Sequence, residues 1–288
     1  MMKNYKKIAI QLVAVGLAST ILTGCGTKGK DSSSQTSSKV PLPSTSSSPV
    51  INAVSPTFGN LDTKKQGWGQ GVQFDEQNIP ISCTTFQEKY GKYNAVFVKQ
   101  NCENQIFLTF DEGYENGYTS KILDVLKEKQ VPAVFFVTYD YASKNPDLIQ
   151  RMIDEGHIVG NHSYSHPSMP EISVEKQQEE ITKLHDYIKQ EFSYTMTLFR
   201  PPKGEFSEQS LAVAKELGYE TVFWSFAYSD WNVDKQPDPS EALKKTVDRA
   251  HNGAVYLLHA VSKTNTEILG NMIDQLQQEG YNFQPMAE

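Results

Sequence analysis

From Gln105 onward, short apolar runs alternate with longer stretches in which apolar positions recur at helical spacing. Gln105–Phe110 (QIFLTF) has the pattern of a buried strand, and Tyr118–Gln130 that of a helix with Ile122, Val125 and Leu126 on its apolar face. Val131–Val137 predicts the next strand, followed by a helix over Asn145–Glu155 that turns Leu148, Ile149, Met152 and Ile153 inward. The alternation continues with a short strand at His157–Asn161, a charged helix at Val174–Glu191 and a strand at Thr195–Phe199. A helix over Ser207–Leu217 stops at Gly218, as a helix C-terminus does. A strand at Thr221–Phe226, a helix at Ser240–Ala250, a strand at Ala254–Leu258 and a helix at Thr266–Glu279 complete the pattern. Strands separated by helices of this length imply parallel βαβ units. The expected fold is α/β, a β/α barrel or a distorted, incomplete one, rather than an open doubly wound sheet. No Gly-x-Gly-x-x-Gly or Walker-type loop supports a nucleotide fold.

The first 60 residues follow different rules. Residues 1–25 read as an export signal, with Lys3, Lys6 and Lys7 ahead of the apolar stretch Ile8–Leu22. That stretch is shorter than the ~20 residues of a membrane span. It ends in Leu22-Thr23-Gly24-Cys25, which resembles a lipoprotein box and marks Cys25 for acylation; an ordinary signal peptide with a chance cysteine is the alternative. Residues 26–60, rich in Ser, Thr and Pro, read as a flexible tether that cannot offset its own ordering entropy. Residues 61–288 are left as a single domain, long enough for a sizeable core.

A net charge of −7 and the lack of a basic stripe argue against a nucleic-acid partner. The 14 Tyr and 3 Trp offer faces suited to sugar rings, although most aromatic residues belong to the core. Cys83 and Cys102 are consistent with one disulfide or with two free thiols.

Candidate chemistry collects where the strands end. Asp111, His162, Arg200, Asp230 and His259 each fall at, or just past, the C-terminal end of a predicted strand, where catalytic groups converge in β/α barrels. His162 and His166, four apart, can aim two imidazoles at one point. Asp111 and Glu112 are adjacent, so on an irregular turn one could ligate a metal while the other stays free. Arg200 at a strand end needs a buried carboxylate, and Asp111 is the natural partner. His259 emerges from an apolar strand, where a satisfied core histidine is the plainer alternative. Together these groups suit a mononuclear metal site with its own base and acid, and so metal-assisted hydrolysis.

Thr109-Phe110-Asp111-Glu112-Gly113, His162-Ser163-Tyr164-Ser165-His166, Arg200-Pro201-Pro202, Asp230-Trp231 and Leu257-Leu258-His259 stand in the order of a known motif set. From about Trp68 to the C-terminus, the chain resembles the NodB-homology polysaccharide deacetylases, the fourth carbohydrate esterase family. The run Gly113-Tyr114-Glu115-Asn116-Gly117, with Arg200–Ser207 and Tyr256–Ser262, resembles the delta-lactam-biosynthetic branch. The resemblance implies a NodB-type distorted barrel that deacetylates N-acetylmuramic acid of peptidoglycan, a step toward muramic-δ-lactam in spore cortex. It implies a divalent cation, zinc, held by Glu112, His162 and His166. Asp111 is then the base, kept ionised by Arg200, and His259 the acid. The backbone N–H of Lys203 serves the oxyanion, and Trp231 and Tyr114 lie on the substrate side.

Two positions depart from the family pattern. Glu112 stands where a metal-binding Asp is usual. Ala227 stands where many members carry the Asp that partners the catalytic histidine, so that Asp230 either takes over the role or leaves His259 to titrate differently. Deacetylation of N-acetylglucosamine and an inactive glycan-binding module are the competing readings. The expected setting is a monomer, lipid-anchored on the outer face of the cell membrane and acting on peptidoglycan strands.

Overall fold

The computed structural model describes residues 58–286. The expected export signal, Cys25 and the tether as far as residue 57 lie outside the described residues. The described chain opens with β1 (Gln66–Gly67), α1 (Ile81–Tyr90), β2 (Ala95–Val96) and the long β3 (Gln105–Glu112). Then follow α2 (Thr119–Lys129), β4 (Ala133–Val137), α3 (Tyr139–Lys144), α4 (Pro146–Asp154), β5 (Ile158–Asn161), α5 (Val174–Phe192) and β6 (Leu198–Phe199). The last part runs β7 (Glu205–Phe206), α6 (Glu208–Glu216), β8 (Glu220–Val222), α7 (Pro239–Asp248), β9 (Ala254–His259), α8 (Lys263–Gln278) and β10 (Asn282–Phe283).

The main sheet is parallel, in the order β10-β3-β4-β5-β6-β8-β2, with β9 on the other side of β3. Past β8 the chain crosses over to β9. The N–H groups of Ser225 and Phe226 donate to the Val255 carbonyl at 2.9 and 3.1 Å, and Leu257 N–H donates to Phe226 at 2.9 Å. This irregular crossing curls the sheet into the expected distorted barrel. It also explains why the regular strand stops at Val222 rather than Phe226.

Alternation along β3 sorts its side chains onto two faces. Ile106, Leu108 and Phe110 pack outward with Ile122, Leu123 and Leu126 of α2. Phe107 packs inward with Val134, Phe136, Val222 and Val255. In a separate aromatic cluster, Trp68, Phe97, Phe206 and Phe223 surround Cys83. Cys83 and Cys102 are both free thiols. The short β1, β2 and β10, with α1 and α3, were not foreseen. α8 begins at Lys263 rather than Thr266 because the Ser262 hydroxyl caps it, accepting the Asn265 N–H at 3.1 Å.

Gly160 in β5 is required by close approach, since a Cβ there would lie 2.5 Å from the Phe136 ring. That ring in turn carries the Arg200 guanidinium, 4.2 Å above its centre. Gly160→Ala is expected to lose about 1–3 kcal/mol of stability through overpacking, read as a lower urea midpoint with unchanged slope. An unchanged midpoint would show that the ring yields freely.

Candidate active site

Arg200 follows β6 and is fully buried. Its Nη1 donates to Asp111 Oδ1 at 2.8 Å, while Nε and Nη2 donate to the carbonyls of Val222 and Phe223 at 3.0 and 3.1 Å. The guanidinium therefore spends its donors on one carboxylate and on the irregular end of β8. Burial pushes the Asp111 carboxyl up, but the charge of Arg200, with that of His259 and the Arg200 hydrogen bond, outweighs it and holds Asp111 below its ordinary value. Arg200 occupies one oxygen, and the other, Oδ2, faces His162 Nε2 at 3.5 Å.

The histidine loop leaves β5 at Asn161. Asn161 Oδ1 accepts the Ser163 N–H at 2.9 Å, and Glu180 of α5 accepts the Ser165 N–H and hydroxyl at 2.7 and 2.6 Å. Ser163 and His166 sit in the left-handed region, with φ of 69° and 61°. That winding brings the His162 and His166 rings to 4.9 Å between centres. His162 Nδ1 lies 2.8 Å from the Arg200 carbonyl, which places its proton there and leaves Nε2 as a lone pair. Burial keeps His162 below its ordinary value, and burial together with His162 lowers His166 to about 4. The His162 Nε2 lone pair, with the His166 ring beside it, fits a divalent cation.

The third expected ligand does not fit. Glu112 is still within regular β3, so the pleat turns it to the face opposite Asp111. It is fully buried on the helix side, where the Thr119 hydroxyl lies 3.3 Å from Oε1 and Oε2 has no partner. Burial first, then the Glu115 charge, raises its pKa well above the ordinary value. Among the described residues no group of three His, Cys, Asp or Glu is placed to hold a metal. The irregular turn that would have freed Glu112 begins one residue later.

His259 ends β9 and is the register partner of Asp111 on β3, so both side chains point inward on neighbouring strands. Asp230 Oδ1 lies 2.7 Å from His259 Nδ1, and Oδ2 accepts the His259 N–H at 2.8 Å. Asp230 therefore takes the orienting role that Ala227 cannot. Burial would lower the His259 pKa, but the charge and hydrogen bond of Asp230 raise it above 6.5. Asn265, which no motif announced, donates to Asp230 Oδ2 at 2.6 Å and to the His259 carbonyl at 3.1 Å. Its own carbonyl oxygen accepts the Tyr228 hydroxyl.

Trp231, 56% exposed, places its ring centre 5.9 Å from that of His259. Lys203 has φ of 61° in the turn after Pro202, and its charge is felt at His166. Tyr114, half exposed, lines a pocket of about 280 Å³ with Thr138, Asp140, Tyr164 and His166. The site thus gathers Asp111, His162, His166, Arg200, Asp230 and His259, with Lys203, Trp231 and Tyr114 around it and Glu112 behind it.

A family profile described as polysaccharide deacetylase matches residues 98–222. The peptidoglycan-N-acetylmuramic acid deacetylase PdaA of Bacillus subtilis (strain 168) is 44% identical over 198 residues, 68% of this chain and 75% of the relative. The chain belongs to the polysaccharide deacetylase family. The solved structure of Bacillus subtilis PdaA, a family 4 carbohydrate esterase, superposes with a TM-score of 0.74 at 39% identity, covering 78% of this chain and 97% of that one. A family 4 carbohydrate esterase from Bacillus anthracis superposes with a TM-score of 0.65 at 40% identity, covering 78% and 96%. The strand-end cluster thus places two charge-paired groups, Asp111 with Arg200 and His259 with Asp230, beside the His162–His166 pair.

For this polysaccharide deacetylase, kcat/KM should be bell-shaped in pH. It falls as pH drops through the depressed Asp111 pKa, below 3.8, and as pH rises through the elevated His259 pKa, above 6.5. Asp230→Asn removes the charge that raises His259, so the alkaline limb should move to lower pH. An unmoved limb would show that His259 is not the acid.

Proposed function

We propose that this deacetylase removes the acetyl group from N-acetylmuramic acid in peptidoglycan. The observation that carries the chemistry is the pairing of Asp111 and His259 as register partners, each with its own buried counter-charge. Asp111 Oδ2, the oxygen Arg200 leaves free, takes the proton of an attacking water. When bound at His162 and His166, a divalent cation, proposed to be zinc, supplies Lewis-acid polarisation of the acetamide carbonyl. The Lys203 backbone N–H is assigned to the developing oxyanion. His259 holds its Nδ1 proton against Asp230, so it delivers the Nε2 proton to the leaving amine and acetate departs.

Identity to PdaA supports muramic acid as the substrate. So does chemistry: muramic acid carries a lactyl carboxylate that glucosamine lacks, and the exposed Lys203 offers it a cation beside His166. The freed amine and that carboxylate belong to one sugar and can close to muramic-δ-lactam, the cortex modification. Cys25 as a lipid anchor and residues 26–60 as a tether would keep residues 61–288 within reach of the cell wall, as a monomer on the outer membrane face. An inactive glycan-binding module is disfavoured, because both charge-paired catalytic groups are in place.

Mass spectrometry of peptidoglycan strands, with and without stem peptides, after incubation with the zinc-supplemented protein tests the reading. Loss of acetyl from muramic acid is expected; loss from glucosamine alone would keep the chemistry and discard the lactam role. Lys203→Gln should raise KM for muramic-acid strands about tenfold, equivalent to about 1.4 kcal/mol, and leave KM for a neutral N-acetylglucosamine oligomer unchanged.

A further inference from the structure

Gly113–Gly117 is part of the resemblance to the delta-lactam-biosynthetic branch, and Glu115 and Asn116 within it do no chemistry in the mechanism above. It links the end of β3, which bears Asp111, to the start of α2. α2 has no side-chain cap from its N-cap residue Tyr118 and no acidic residue in its first turn. Glu115 supplies both from further back. Its Oε1 accepts the Gly117 N–H at 2.6 Å and the Thr119 N–H at 3.4 Å, and its Oε2 accepts the Thr119 hydroxyl, with the Tyr141 hydroxyl 3.5 Å away. Gly117, at φ of 81°, lets the chain double back so that this carboxylate meets the helix start.

Asn116 faces the other way. Its Nδ2 donates at 2.9 Å to the carbonyl of Val261, two residues past His259. The next residue, Ser262, donates its N–H to the His259 carbonyl at 3.2 Å and its hydroxyl to Gln236 Oε1 at 2.6 Å. β3 and β9 are therefore tied twice, by their ladder below the site and by Asn116 above it.

We propose that Glu115 and Asn116 are positioning residues, which make this loop a strut setting the base strand-end against the acid strand-end. Glu115 fixes the loop to α2, and Asn116 transmits that fixed point to the His259 turn. Glu115 and Asn116 act through where His259 is held relative to Asp111.

The kinetic arm of the test rests on the deacetylase reading above, so a second arm uses no substrate. Asn116→Asp keeps the shape but cannot donate to Val261, and Asn116→Ala removes the exposed side chain outright. Both should lower kcat about tenfold with little change in KM, the cost of a small misplacement of a catalytic group. In both, the ring NMR signals of His259 should shift while those of His251 stay in place. His251 is the internal reference, held between Ser225 Oγ and the Arg249 carbonyl. Glu115→Gln, whose carbonyl can still accept the two amide protons, should retain most of the kcat that Glu115→Ala loses. Unchanged kcat and unchanged His259 signals in both Asn116 variants would overturn the proposal. So would equal shifts at His251, which would mean general loosening. Shifted His259 signals in a protein inactive on muramic acid would uphold the strut and overturn the substrate.

Discussion

The site depends on one buried ion pair, Arg200 with Asp111. Removing a guanidinium and a carboxylate from water is costly, and their mutual attraction repays that cost only when every remaining donor is satisfied. Here two further N–H groups of the guanidinium are met by the Val222 and Phe223 carbonyls, and its face rests on Phe136. One side chain thus ties together the ends of β3, β4, β6 and β8. The backbone of the same residue does a second job, since its carbonyl fixes the His162 ring and sets which nitrogen faces the site. Asp111 and His162, the proposed base and a proposed metal ligand, are therefore positioned from a single residue, and the barrel end cannot shift one without disturbing the other.

The acid is built separately and by different means. Asp230 and Asn265 come from the β8–β9 crossing and from α8, and they hold His259 through three hydrogen bonds to its ring and backbone. His259 must stay partly accessible to reach a leaving amine, so its support comes from behind, at Nδ1. Pairing a raised imidazole with a depressed carboxylate on neighbouring strands separates the two titrations, as catalysis near neutrality requires.

Much of this was legible in the residues. Alternating apolar runs and helical periodicities gave the parallel sheet, and polar residues at strand ends marked the catalytic face. A strand-end arginine in search of a buried carboxylate led to Asp111 without coordinates. Glu112 was misplaced because the sequence does not show where a pleat ends, and one more residue of regular strand reverses a side chain. Asn265 was invisible for another reason: it lies 35 residues from Asp230 on a helix whose apolar periodicity gives no hint of a polar contact. The short β2 and the Phe223–Ala227 crossing are held by backbone bonds to distant strands, which local pattern does not encode.

The reversed Glu112 also makes electrostatic sense. Each carboxylate facing the site has its own basic partner, Arg200 for Asp111 and His259 for Asp230. A third inward carboxylate would have to draw its counter-charge from a bound cation. On the helix side, beside Glu115 and away from water, burial and the Glu115 charge push the Glu112 carboxyl toward its protonated form. A divalent cation, if bound at His162 and His166, would supply Lewis-acid polarisation of the acetamide carbonyl without a further ligand from Glu112. Asp111, spared the role of companion to a second acid, is left with one oxygen bound and one free, which is what a base needs.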